Sequence, residues 1–200
     1  MITIQNMHVT LGAPNQMASA LVAALLAADS ELPSEDSAAE AARTTEIPPM
    51  GAIWPGQGGR NGGLMRGIDG GPNYWLILAE GTAATAELTW GGYDQDTGAT
   101  SDHDGLANTK LLAESGLDFP AAKFAHAARL EGKTDWYLPA IRECRLLSAN
   151  VPELFESCYH WSSTQHSRYT AWMQDFVDGN QDGDDKYGTR RVRLVRRLFL

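Results

Sequence analysis

Gly132-Lys133-Thr134-Asp135-Trp136-Tyr137-Leu138-Pro139 places two adjacent aromatics between a helix stop and a helix start. Gly132 ends a predicted helix over 121–130 that Pro120 opens. Pro139 opens the next, which runs to Asn150-Val151-Pro152 with Ile141, Cys144 and Leu147 on its inner face. Upstream, Asp104 caps a helix from Gly105 that Gly116 closes. Beyond Pro152 there is no proline, and the chain reads as strands over 159–163, 170–177 and 190–198, with a Gly/Asp-rich connection between the last two. Helices grouped in the middle with antiparallel strands around them make an α+β domain. Trp136, Trp161 and Trp172 are the expected anchors of helix to sheet, each contributing about 4–6 kcal/mol if buried, as an upper bound.

Toward the N-terminus, nine of the 20 glycines lie between Gly51 and Gly71. No phosphate-binding motif surrounds them. They precede the strand-like run Tyr74-Trp75-Leu76-Ile77-Leu78, so hairpin turns are the expected use. The first 50 residues contain no Phe, Trp or Tyr, whereas the six Trp, six Tyr and five Phe all lie between Trp54 and Phe199. That step sets the expected boundary: residues 1–50 as an attachment or oligomerisation arm and linker, residues 51–200 as the domain. Within the arm, a strand at 2–5, an Ala/Leu helix at 14–29 and a Ser/Glu/Ala/Thr-rich linker over 30–49 are predicted.

Sixteen Lys and Arg stand against 25 Asp and Glu, a net charge of -9, which argues against a nucleic-acid binder working through phosphate contacts. No apolar run is long enough to insert into a membrane. The first basic residue is Arg43, so the start lacks the basic region of a signal peptide, and synthesis in the cytoplasm without export is expected. Cys144 and Cys158 form no zinc motif; free buried thiols are favoured over a bridge. Ser162 and Ser163 lack a nucleophile elbow, and neither His103 nor His166 has a nucleophile beside it in sequence, so no catalytic residue is assigned. Six basic residues and no acids fill Lys186 to Leu200, but Val192, Leu194, Val195 and Leu198 thread the arginines as in a core strand. Acidic loops such as Asp94-Gln95-Asp96 and Asp102-His103-Asp104 are their expected partners, or a second cation site.

Four ordered blocks resemble the C-type-lectin-like domains found in phage and prophage proteins and at the C-termini of bacterial collagen-like adhesins. They are Gly132 to Pro139 with Glu143, Asp104-Gly105-Leu106-Ala107-Asn108-Thr109, Trp161-Ser162-Ser163-Thr164, and Arg191 to Arg197. The family is similar to the variable-lectin and sulfatase-modifying-factor branch of the fold. Cys144 stands where it usually carries an apolar residue such as Leu, and residues 1–50 have no counterpart in it. The resemblance implies a C-type-lectin-like fold over 51–200, with antiparallel strands and two or three helices.

Gln165, His166, Arg168, Tyr169 and Met173 sit in a polar, basic and aromatic stretch suited to recognition. The residues alone leave a plain solvated hairpin equally open. The resemblance favours recognition, because domains of this branch present ligand contacts from the C-terminal region, in some relatives diversified by retroelements. The same face is expected to include Asp178, Asn180, Asp182, Asp185 and Tyr187. Asp178-Gly179-Asn180-Gln181-Asp182-Gly183 matches the first half of an EF-hand loop, a weak calcium site at Asp178, Asn180 and Asp182, although Lys186 falls at its ninth position and Thr189 at its twelfth. The motifs of calcium-bridged sugar lectins are absent, so that mode is not expected. The functional expectation is a non-enzymatic virion protein of the phage tail tip or fibre, homo-oligomeric, docked to other virion subunits through residues 1–50 and binding a host-surface glycan or protein. The alternatives are a structural decoration or assembly protein and an enzyme of the sulfatase-modifying-factor type.

Overall fold

The strand Tyr74–Ala79 (β3) carries an almost continuous apolar run because it is buried on both faces. Ile77 and Ala79 enter one core, with Trp54, Trp90, Phe119, Trp136 and Trp161; Tyr74, Leu76 and Leu78 enter a second, with Tyr137, Leu147, Phe155 and Phe176. A computed structural model describes residues 46–200; the strand and helix expected at 2–5 and 14–29 lie outside the described residues. The unit that carries both sheets runs from Glu46 to Leu200. Its start is tied to the sheet, since Asn61 Nδ2 donates to Pro48 O at 2.7 Å.

β3 lies in an antiparallel four-stranded sheet between Gly59–Met65 (β2) and Val195–Leu198 (β9), with Ile53–Trp54 (β1) at the edge beyond β2. The second sheet has the order β4-β8-β5-β6-β7, formed by Thr85–Thr89 (β4), Tyr159–Gln165 (β5), Thr170–Asp175 (β6), Gln181–Asp185 (β7) and Thr189–Arg193 (β8). One pair, β5 with β8, is parallel; the others are antiparallel. The helices are Gly105–Ala113 (α1), Pro120–Ala127 (α2) and Ile141–Asn150 (α3). The domain is α+β, as expected.

Several elements differ from the sequence reading. The glycines do not all make turns: Gly59, Gly62 and Gly63 lie within β2. A Cβ on Gly62 would stand 2.6 Å from Leu147 Cδ2, so its missing side chain lets α3 close onto the sheet. α2 stops at Ala127, and Glu131 and Gly132, both at positive φ, turn the chain so that Leu130 pairs with Lys133. The strand expected over 190–198 is two strands in different sheets. It breaks at Leu194, where Ala79 N donates to Leu194 O (3.0 Å) and Leu194 N to Ala84 O (3.1 Å). Part of the Gly/Asp-rich connection is β7. Trp172 is only half-buried; Trp54 and Trp90, 1% exposed each, are core tryptophans instead.

The segment from Gly132 to Pro139, with Glu143, is where these parts meet. Tyr137 exchanges backbone hydrogen bonds with Val195, Leu138 N donates to Thr109 Oγ1 of α1, and Ser163 N of β5 donates to Pro139 O. Glu143, wholly buried, accepts from Ala140 N, Tyr74 OH and Tyr137 OH, each at 2.8 Å, and from Arg197 Nη2 at 3.1 Å. Burial pushes its carboxyl up, opposed by Arg197 and these hydrogen bonds. Arg197 also pairs with Asp104, and Arg196 with Asp135, both at 2.9 Å. Arg196 and Arg197 are thus strand residues neutralised by acids, Asp104 among the loops expected to do so.

Candidate functional site

Trp90 is fully buried against Phe119, ring centroids 5.5 Å apart, and its indole N–H donates to Ser162 O at 2.8 Å. The next two residues, Gly91 and Gly92, adopt φ of +89° and +60°. A Cβ on Gly92 would lie 2.0 Å from the Phe119 ring, so only glycine lets the chain turn there. The turn delivers Tyr93 and Asp94 to the surface. Downstream, Thr97 N and Oγ1 donate to Gln165 Oε1 (3.1 and 2.9 Å), and Gln165 N donates to Ala99 O (2.7 Å). The loop is therefore stitched to the end of β5.

Two further segments arrive at the same place. The β5–β6 turn supplies Arg168 and Tyr169; the end of β7 and the turn after it supply Asp185 and Tyr187. Tyr93 stacks on Tyr187 at 4.2 Å and meets Tyr169 at 5.3 Å. Arg168 Nε pairs with Asp94 Oδ1 at 2.7 Å, and its guanidinium lies 5.6 Å from the Tyr169 ring centre. The three rings stay 36%, 45% and 67% exposed at Tyr93, Tyr169 and Tyr187, an aromatic platform rimmed by Arg168, Asp94 and Asp185. Partial desolvation among these neighbours, with Asp185 next, pushes the Tyr93 hydroxyl above its ordinary value. Rings with polar tips, held by tight turns, suit stacking on a sugar face with hydrogen bonds at the edge.

Beneath the platform lies Lys186, completely buried. Its Nζ donates to Arg168 O (2.9 Å), Gln95 O (3.0 Å), Gln165 Oε1 (3.0 Å) and, at 3.4 Å, Gly92 O, and sits 4.8 Å from the Trp90 ring centre. Desolvation pulls its pKa down to about 8, Asp96 opposing.

Of the ten residues expected to bind ligand, Arg168, Tyr169, Asp185 and Tyr187 come together. Gln165 and Met173 do not belong: each is 6% exposed, Gln165 spent on Thr97, Lys186 and Asp96 and Met173 packed in the core. His166 is exposed, but its ring lies on Trp172, centroids 4.3 Å apart. The half-buried Trp172 in turn lines a separate cleft of about 330 Å³ with Asp102, Ile141, Arg142, Arg145 and Gln181. Asp178 and Asn180 occupy the β6–β7 turn, beyond the Gln174–Gln181 pair that itself lies about 13 Å along the hairpin from Thr170 and Asp185. The half EF-hand does not fold as a calcium loop. Asp178 accepts from Asn180 N and Nδ2, Asp182 accepts from Gly183 N, and the run enters β7. Among the described residues no group of three or more His, Cys, Asp or Glu side chains is placed to hold a metal ion.

Tyr93, Asp94 and Lys186 were not among the expected site residues. Gly91-Gly92-Tyr93-Asp94 carries a signal, an aromatic set behind a glycine pair; Lys186 carries none, since lysine ordinarily reads as surface. Ser162 and Ser163 are scaffold: Ser162 Oγ donates to Trp172 O at 2.7 Å, and Ser163 Oγ accepts from Asn108 Nδ2 at 3.4 Å. Cys144 is buried with its thiol pushed well up by desolvation, Cys158 is half-buried, and both are free.

A search of curated proteins finds no match. The sequence model of the Lcl C-terminal domain, a C-type-lectin-like family, matches residues 82–196. The match includes α1, the Gly132–Pro139 stretch with Glu143, β5 and the platform, and leaves β1, β2 and β3 outside. With more than half of its length matched, and with that stretch joining both sheets and α1, the chain belongs to the Lcl C-terminal domain family.

Proposed function

We propose that the protein is a non-enzymatic attachment component of a phage or prophage particle, at the tail tip or fibre. Its domain binds a host-surface glycan through Tyr93, Arg168, Tyr169, Asp185 and Tyr187. The observation that carries this reading is the exposed tyrosine trio gathered from three separate segments over one buried lysine. Exposed aromatic area held rigid by its support loses little entropy on binding, which favours recognition at that face. Residues 1–50 are proposed to dock on other virion subunits and to bring copies of the chain together, which would multiply weak sugar contacts into stable attachment.

A second reading, a structural decoration protein held by virion subunits, draws support from Ile47, Met50 and Ile53, 45–59% exposed at the edge of the first sheet. Binding of labelled full-length protein to intact bacterial cells, beside an Arg168→Ala/Tyr169→Ala variant, separates the two. Saturable binding weakened at least about tenfold in the folded variant supports the platform. Equal binding by both removes it, and no binding by either favours the structural reading. Protease treatment of the cells tells a protein receptor from a glycan.

A further inference from the structure

We infer that Lys186 is the resident cation of the binding face: its ammonium fills an oxygen cage that holds the three platform segments together, in the place a bound ion would otherwise occupy. The cage comprises three backbone carbonyls and one amide oxygen, from Gly92, Gln95, Arg168 and Gln165. Neutral oxygens converging from separate segments on one positive centre are the donor set of a hard cation, and here the cation is covalently part of β7's C-terminal continuation. Among the described residues, its hydrogen-bond partners are these four neutral oxygens. Three N–H donors meet the three close acceptors, and the Trp90 face closes another side.

Each platform residue lies next to the cage. Tyr93 and Asp94 sit between the Gly92 and Gln95 carbonyls, and Tyr169 follows Arg168 and accepts Lys186 N at 3.1 Å through its own carbonyl. Asp185 and Tyr187 flank Lys186 in sequence. Without the ammonium, inward-facing oxygens of the other two segments would lose their common donor, and the three segments would part while the two cores stayed intact. The ninth position of the apparent EF-hand thus holds the positive charge itself, although the loop around it is not a calcium loop. The inference makes Lys186 a positioning residue and deepens the platform reading, but its test reads the platform directly rather than ligand binding.

The experiment uses full-length Lys186→Met, which keeps the stem's bulk without charge, and Lys186→Ala, which opens the cage. Far-UV circular dichroism reports the fold and near-UV dichroism the tyrosine cluster. Lys186→Met is expected to keep the far-UV spectrum and lose most of the tyrosine signal. Lys186→Ala is expected to lose the same signal and regain it with n-propylammonium chloride, not with 1-propanol or tetramethylammonium chloride. Rescue is readable even if Lys186→Ala unfolds, because propylammonium then restores the fold. The wild-type signal is expected to withstand EDTA. An unchanged near-UV spectrum in Lys186→Met, equal rescue by propanol, or loss of the wild-type signal in EDTA would each overturn the inference. Failed cell binding with an intact platform spectrum would retire the attachment reading and leave this one standing.

Discussion

His160 shows how one side chain can carry a pH dependence for the whole domain. It is 4% exposed, edge-on to Phe155 and Phe176, and within 3.1 Å of Cys158 O through Nδ1. Desolvation pulls its pKa down to about 4, against an ordinary value of 6.5. Between these values the unfolded chain binds the proton and the folded one does not. The stability tied to neutral His160 is therefore complete above pH 6.5 and is lost as pH falls through 4, about 3 kcal/mol in all. Urea unfolding at pH 7.5, 5.5 and 4 should show this loss, and His160→Phe should flatten it. Equal slopes for the two proteins would mean the ring is not held neutral. Lys186 shows the companion case, a buried charge that desolvation opposes and accepting oxygens surround, and it could not be recognised from local sequence because burial belongs to the assembled domain.

At the level of elements, local signals located the helix starts and pairing located the strands. Asp104 caps α1 through Ala107 N at 3.0 Å, Pro120 sits in the first turn of α2, and Glu143 holds Ala140 N at the start of α3, all within a few residues of the signal. β7 has no such signal. Gln181-Asp182-Gly183-Asp184-Asp185 lacks apolar alternation and becomes a strand because β6 offers its free backbone edge. β2 is the reverse: a glycine-rich segment that reads as turns yet must pass close to β3 and α3. A Cβ on Gly59 would lie 2.3 Å from Leu78 O, a backbone atom that cannot swing away. Gly59→Ala should therefore cost about 1–3 kcal/mol and lower the thermal midpoint. Wild-type stability in that variant would show that β2 can shift away from β3.

Across the whole molecule, the C-terminal segment belongs to both sheets: β8 pairs with β4 and β5, and after Leu194 β9 pairs with β3. All of these pairings lie within residues 46–200, and a fragment of that span is expected to keep the full-length thermal midpoint. If residues 1–45 assemble copies of the chain, the fragment should fall to monomer mass in light scattering; an unchanged oligomer would place assembly in the domain. Composition, caps and the four sequence blocks were enough for the α+β class, the lectin-like fold and the three helices, because those signals lie within single short segments; of the ten residues expected at a binding face, only Arg168, Tyr169, Asp185 and Tyr187 meet. The partition of 190–198 between two sheets, the inward turn of Gln165 and Met173, and the meeting of Tyr93 with Tyr169 and Tyr187 depended on segments up to 123 residues apart, the separation of Trp75 from Leu198. Which side chains a surface gathers is set by the pairing of distant backbone edges and the burial that follows, and no local pattern encodes that.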